Sequence, residues 1–207
     1  MKKNFLIKIL IVAFCYIALI NAQSKFSIGP TIGVNFSTLK IRDATQIGLI
    51  APQSGMYAGI FVNYKFSNLL TVQPELAFSM KGSSASSNMD GPVTYVMNYF
   101  EIPVLVKFYI PISNSGTIKP NFYAGPSFAF NTASRIKNDY DFTLADNFAR
   151  KFDLGLVFGG GIGILTGKGV LDISLRDDLG MNSIYEPGEP VITNNVFSII
   201  VNYGFDF

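Results

Sequence analysis

Six charged residues fall at alternate positions in otherwise apolar or glycine-rich stretches: Glu75, Glu101, Lys107, Asp153, Asp172 and Arg176. A charge in such a setting either does chemistry or must find a partner, because an isolated buried charge is costly. Acid–base and metal chemistry lose their commonest side chain, since the chain contains no His. The single Cys, Cys15, excludes an internal disulfide and a thiolate zinc site. No Ser or Lys stands in a recognisable nucleophile setting, so no catalytic residue is assigned and an enzyme is not expected. The glycine cluster Gly159-Gly160-Gly161-Ile162-Gly163 lacks the strand–loop–helix setting in which backbone amides cradle phosphate. Gly163 with Gly167-Lys168-Gly169 has neither the spacing nor the Ser/Thr of a P-loop, so no cofactor is expected. Asp139 and Asp141, and the pair Asp177-Asp178, could offer oxygen ligands to Ca²⁺. Exposed acidic loop residues are ordinarily just solvated, and no metal site is assigned.

What must position the six charges is a set of strands. Period two recurs along the chain, and no segment after the first twenty-two residues shows helical recurrence. In Ser27 to Phe36 the apolar set Ile28, Pro30, Ile32, Val34 and Phe36 alternates with Ser27, Gly29, Thr31, Gly33 and Asn35. Between Leu69 and Met80 the set Leu70, Val72, Leu76, Phe78 and Met80 opposes Thr71, Gln73, Glu75, Ala77 and Ser79. Ile102, Val104 and Val106 oppose Glu101, Pro103, Leu105 and Lys107, and Leu154, Leu156, Phe158 and Ile162 oppose Asp153, Gly155, Gly159, Gly161 and Gly163. The same count gives eight strands, near 26–36, 54–66, 68–81, 94–110, 118–130, 150–165, 169–180 and 195–207. The expected fold is all-β, an eight-stranded antiparallel up-and-down transmembrane β-barrel. Short turns at 66–68 and 166–168 and a moderate connection at 111–117 alternate with long loops at 37–53, 82–93, 131–149 and 181–194.

Composition decides which face meets lipid. Only 14% of residues are charged, against roughly 25% in a soluble domain. A soluble barrel such as a lipocalin would turn the polar face to water. Here that face carries Gly29, Gly33, Gly59, Gly125, Gly155, Gly159, Gly161 and Gly163, which suits a narrow lumen shared with inward Tyr57, Phe61, Tyr99 and Tyr123. Tyr64, Phe66, Phe108, Tyr109, Phe122, Tyr203 and Phe205 gather near the short-turn ends, like an interfacial girdle.

Met1-Lys2-Lys3 and the apolar run from Ile9 to Ile20, closing at Ala22, have the layout of a secretory signal, giving residues 1–22 as signal peptide and 23–207 as the barrel domain. Removing Lys2, Lys3 and Lys8 with it turns the formal charge from +2 to −1. A nucleic-acid partner thereby loses its electrostatic support. Cys15 follows Phe14, where a lipoprotein signal needs a small residue, so lipidation is not expected.

The terminal stretch Val201-Asn202-Tyr203-Gly204-Phe205-Asp206-Phe207 resembles the signal by which the barrel-assembly machinery recognises outer-membrane barrels, with Tyr203, Phe205 and Phe207 as its aromatic positions. Tyr99 to Phe108, Tyr123-Ala124-Gly125-Pro126-Ser127 and Asp153-Leu154-Gly155 leading into Gly159 to Gly163 extend the likeness. The whole chain after residue 22 resembles the PorT-like, or outer-membrane β-barrel domain, family of Gram-negative envelopes, with the small-barrel architecture of the OmpA and OmpX type. The resemblance implies a multi-pass barrel in outer-membrane lipid with both termini periplasmic. The name-giving member takes part in secretion across the outer membrane. Outer-membrane barrel enzymes use a His, which this chain lacks.

The functional expectation is a structural or surface-interaction barrel with a polar, largely filled lumen, meeting surface or secretion partners through loops 37–53, 82–93, 131–149 and 181–194. The alternative is a small porin or an accessory subunit of a secretion system. Inside, Arg176 is expected between Glu75 and Glu101, and Lys107 beside Asp172, as a packed polar core; a gate or narrow ion path is the competing reading.

Overall fold

The computed structural model describes residues 25–41, 50–87, 91–112, 117–138, 143–185 and 191–206. Alternation becomes strand throughout: β1 (Phe26–Ile41), β2 (Ile50–Lys65), β3 (Leu70–Ser87), β4 (Gly91–Tyr109), β5 (Ile118–Asn138), β6 (Thr143–Asp146), β7 (Phe152–Thr166), β8 (Gly169–Gly180) and β9 (Ile192–Asp206). Neighbours pair antiparallel in the order β4-β3-β2-β1-β9-β8-β7-β5, and the β4–β5 pairing closes the ring. The result is a closed eight-stranded antiparallel β-barrel. The short β6 lies outside that count, laid against the far end of β5 through Arg135↔Asp146 and Ile136↔Ala145.

Closure leaves no open edge, so every spanning strand satisfies its backbone through its neighbours, as a hydrocarbon surrounding requires. The two faces differ sharply. Ile32 is 59% exposed on the outer wall while Thr31 beside it is fully buried. Outward residues such as Ile60, Leu76, Ile102, Ile162, Ile173 and Ile199 form an apolar belt, whereas Asn35, Gln73, Ser79, Asn121, Ser198 and Asn202 fill the interior.

Two rings of aromatics bound that belt. At the short-turn end Phe26 meets Tyr64 (ring centroids 4.9 Å apart), Phe108 meets Phe122 (5.2 Å) and Tyr203 meets Phe205 (4.8 Å). At the other end Phe36 lies opposite Phe197, Phe78 opposite Phe100 and Phe130 opposite Phe152, with centroids 6.5, 6.1 and 5.4 Å apart. From Phe26 to Phe36, ten steps of about 3.3 Å at a tilt of roughly 40° span about 25 Å, the height of the apolar band of an outer-membrane barrel. The second ring has no counterpart in the sequence expectation. Tyr109 does not belong to the first one: it shares the inward set of Lys107 and Leu105 and turns to the barrel mouth, leaving Phe108 on the lipid face.

The strands also run further beyond the second ring than alternation indicates. The expected loop 82–93 is mostly ladder, with Ser83↔Tyr95 and Ser84↔Thr94 in register and Ser87↔Gly91 near the tip. Likewise β1 reaches Ile41, β2 starts at Ile50, β5 continues to Asn138 and β9 begins at Ile192, which shortens 37–53, 131–149 and 181–194. The reason is physical. Past the apolar belt the outer face no longer meets lipid, so the alternation of apolar and polar residues fades while the backbone hydrogen bonds continue. At the opposite end the turns are tight: the Ser67 hydroxyl oxygen accepts from the amides of Leu69 and Leu70 at 3.2 and 3.1 Å.

Candidate functional site: a layered lumen

The inward positions of the strands place all six charges inside the barrel, each no more than 6% exposed. They fall into three levels. Nearest the short turns, Lys107 on β4 stands 3.2 Å from Asp172 on β8. The Asn121 side-chain amide donates to the other Asp172 oxygen at 2.6 Å, and the Lys107 ammonium lies 5.3 Å from the centre of the Tyr123 ring.

At the middle level Arg176 grips Glu75 with two parallel bonds, Nη2 to Oε1 at 2.7 Å and Nη1 to Oε2 at 3.0 Å. Such a fork is the strongest geometry available to this pair. Tyr57 Oη and Gln73 Nε2 each donate to Glu75 at 2.7 Å, so the carboxylate accepts from three side chains. The guanidinium is flanked by Tyr57 and Tyr123, 5.3 and 5.5 Å from the ring centres. Gly159 makes room for this arrangement, because a Cβ there would lie 2.7 Å from both Cζ and Oη of Tyr123.

The upper level departs from the sequence expectation. Glu101 does not share Arg176 with Glu75; its ion pair is with Lys81, Nζ to Oε1 at 2.6 Å, and the same ammonium reaches Asp178 at 2.7 Å. Arg176 spends both terminal nitrogens on Glu75, and Lys81 reaches from β3 on its long side chain to Glu101 and Asp178 on two other strands. Sequence reading missed Lys81 and Asp178 as lumen residues. The signal was available, since Lys81 continues the inward series Gln73, Glu75, Ala77 and Ser79 by one more step. Asp153 accepts from Asn194 Nδ2 at 3.1 Å, which also reaches the Tyr99 hydroxyl at 3.3 Å.

The acidic pair Asp177-Asp178 cannot close on one ion, because successive strand residues face opposite sides: Asp178 is buried in the lumen, while Asp177 faces out beside Phe158 and Phe197. Asp139, Asp141 and Phe207 lie outside the described residues; Tyr203 and Phe205 sit on the outer wall of β9.

Between the middle and upper levels the free space is about 10 Å³, lined by Tyr57, Lys81, Glu101, Arg176, Asp178 and Ser198. That is room for a single water. Above the upper level an apolar stopper follows, in which Ala149 and Ile184 from two connecting segments pack on Leu39, Met97 and Tyr99, with Phe148 and Tyr185 against them. A backbone bond from Arg150 N to Ile184 O joins the two segments, and one from Ile184 N to Ile192 O ties the second to the start of β9, both at 2.7 Å. Burial raises the Tyr185 phenol above its ordinary range. The arrangement sets three cations, Lys81, Lys107 and Arg176, among the five carboxylates of Glu75, Glu101, Asp153, Asp172 and Asp178, and ties facing walls to each other.

Comparison with known proteins adds the family context. A family model described as "Outer membrane protein beta-barrel domain" matches residues 21–186. Among solved structures, the outer membrane protein OprG from Pseudomonas aeruginosa is similar with a TM-score of 0.54 at 15% identity, covering 90% of this chain and 97% of that one. Neisserial surface protein A is similar with a TM-score of 0.52 at 13% identity, covering 86% and 97%. At these identities the likeness is one of fold. No curated protein matches the chain by sequence.

Proposed function

Since the chain belongs to the outer membrane protein β-barrel domain family, we propose that it acts as a sealed structural and surface-interaction barrel of the outer membrane. The observation that carries this reading is the filled lumen: three levels of ion pairs with about 10 Å³ of free space between the upper two. Eight strands enclose only enough width for side chains, and here ion pairs link Lys107 to Asp172, Arg176 to Glu75, and Lys81 to Glu101 and Asp178 across that width. Burying ion pairs contributes little net stability, so their value lies in closing the lumen and fixing the walls in register.

In this reading the short turns and both termini face the periplasm, residues 1–22 are the export signal, and Tyr203, Phe205 and Phe207 serve recognition by the barrel-assembly machinery. The far ends of β1 to β5 with their connections then stand outside the cell, where a rigid ladder presents polar side chains such as Ser84 and Thr94 to partners. An enzymatic role is not part of the proposal, because a chain without His lacks the usual barrel acid–base group. The PorT-like resemblance keeps an accessory role in secretion as the second reading. It is favoured by the conjunction of Tyr99 to Phe108 with the Gly159 to Gly163 stretch, and co-purification with a secretion complex from outer membranes would select it.

The test of the sealed barrel is electrical. Protein reconstituted in planar bilayers is expected to leave the membrane resistance unchanged, whereas stable porin-sized channels would refute the closed lumen and favour the small-porin alternative.

A further inference from the structure

The lumen is stoppered at one end and open at the other. At the short-turn mouth lies a cavity of about 450 Å³, within the range of sites that take small organic ligands. Its lining is one-sided in charge. Lys25, Lys65 and Lys119 contribute to it from the entry to β1, the end of β2 and the start of β5. Lys65 falls on the inward set of β2 with Phe61 and Lys119 on that of β5 with Asn121 and Tyr123, while Lys25, just before β1, stands two residues from inward Ser27. Strand geometry therefore aims the Lys65 and Lys119 ammonium groups at one space, which Lys25 also lines, instead of spreading them around the rim.

Their partners are few. Lys65 is held 2.8 Å from Asp206 at the end of β9, while Lys25 and Lys119 carry no ion pair among the described residues. The neutral groups are donors as well. The Ser67 oxygen already accepts two backbone amides, which leaves its O–H free to give, and Thr71 and Tyr109 line the same space with hydroxyls. The floor carries no net charge, because Lys107, the ladder partner of Thr71, is paired with Asp172. Two cations with no ion pair among the described residues, a third tethered to Asp206 and three hydroxyls form a site for an anion of more than one charge. Compact ammonium groups with rotatable donors act as point charges that can meet several oxygens of one phosphate group.

We propose that the short-turn mouth is a binding site for a phosphate-bearing organic anion, held by Lys25, Lys65 and Lys119 with the hydroxyls of Ser67, Thr71 and Tyr109 as neutral donors. The inference does not depend on whether the lumen above is sealed. The same chemistry has two sources in an outer membrane, the headgroup of an anionic phospholipid and a soluble phosphate of the periplasm, and the test separates them.

The full chain, folded in zwitterionic micelles at low ionic strength, is titrated calorimetrically with pyrophosphate. Saturable one-site binding is expected, weakening with added salt, and roughly tenfold weaker in the Lys25→Gln/Lys119→Gln double variant. Heat-modifiable gel migration verifies that the variant is folded; both replaced side chains lie at the mouth and outside the ion-pair levels. In nanodiscs, phosphatidylglycerol added to phosphatidylcholine displaces pyrophosphate if the natural occupant is a lipid headgroup, and leaves it bound if the occupant is soluble. Absence of saturable binding, or equal affinity in the folded double variant, overturns the proposal.

Discussion

The Arg176–Glu75 pair offers the sharpest quantitative test of how the lumen is held. Its side chains are 3% and 0% exposed, so solvent screens neither. Removing one partner of a buried pair costs about 3–5 kcal/mol, because the other charge is left without compensation. The two single variants should not be equal. In Arg176→Met the stranded Glu75 keeps two donors, Tyr57 and Gln73, each at 2.7 Å, which places the loss near the lower bound, about 3 kcal/mol. In Glu75→Leu the stranded guanidinium keeps only hydroxyl contacts and the faces of Tyr57 and Tyr123, which places the loss near about 5 kcal/mol. The double variant removes both charges and should lie within about 1–2 kcal/mol of the wild type, since apolar replacements of buried pairs are commonly neutral or better. The chain has no Trp, so urea unfolding in lipid vesicles is followed by far-UV circular dichroism and by heat-modifiable gel migration. Single-variant losses below about 1 kcal/mol, or a double variant whose loss equals the sum of the singles, would refute the reasoning.

Other consequences are simpler to state. Gly159→Ala drives a methyl against the Leu175 backbone oxygen and the Tyr123 ring, which Arg176 and Ser174 hold in place, and should cost about 1–3 kcal/mol in the same urea assay. Ile173→Arg puts a charge on the lipid face between Leu171 and Leu175, where Ile173 is 46% exposed; near the middle of the belt this should cost about 2–4 kcal/mol, while Ile173→Leu should cost less than about 1.5 kcal/mol. Deleting Phe207 should lower the yield of assembled barrel in the outer membrane while leaving export to the periplasm intact, measured by fractionation and gel migration; unchanged barrel yield would count against the assembly role of the last residues.

The barrel was legible because burial inside it is set by a simple period. Ile28 to Phe36 and Leu70 to Met80 alternate without interruption, and each flank of a tight turn carries the same signal. Legibility ended where that contrast ended. Ser83 to Ser87 and Arg135 to Asn138 are strands held by ladder bonds with polar groups on both faces, so nothing in their side chains separates them from loops. The inward charges were readable one strand at a time, but their partners depend on reach across the lumen. Arg176 and Glu75 lie on walls that never touch in the ladder, and whether Arg176 or Lys81 serves Glu101 turns on side-chain length and height in the barrel. The stopper of Ala149 and Ile184 was invisible for another reason. Two irregular segments, separated in sequence, meet only after the barrel has brought their ends together, and a lone Ile in a connection carries no period at all.

Reactivity of cysteines placed inside the barrel tests the sealed, apolar-side-out account most directly. With Cys15 replaced by Ser, the chain has no other thiol, and single cysteines can be placed at Ser198, at the middle of the lumen and bonded to Asn35, and at exposed Met181 beyond the belt. A membrane-impermeant charged thiol reagent applied to both sides of reconstituted vesicles should modify Met181→Cys readily and leave Ser198→Cys unmodified until the barrel is unfolded. Modification of Ser198→Cys in the folded protein at a rate comparable to Met181→Cys would contradict a lumen closed by paired charges and reveal an aqueous path through the barrel.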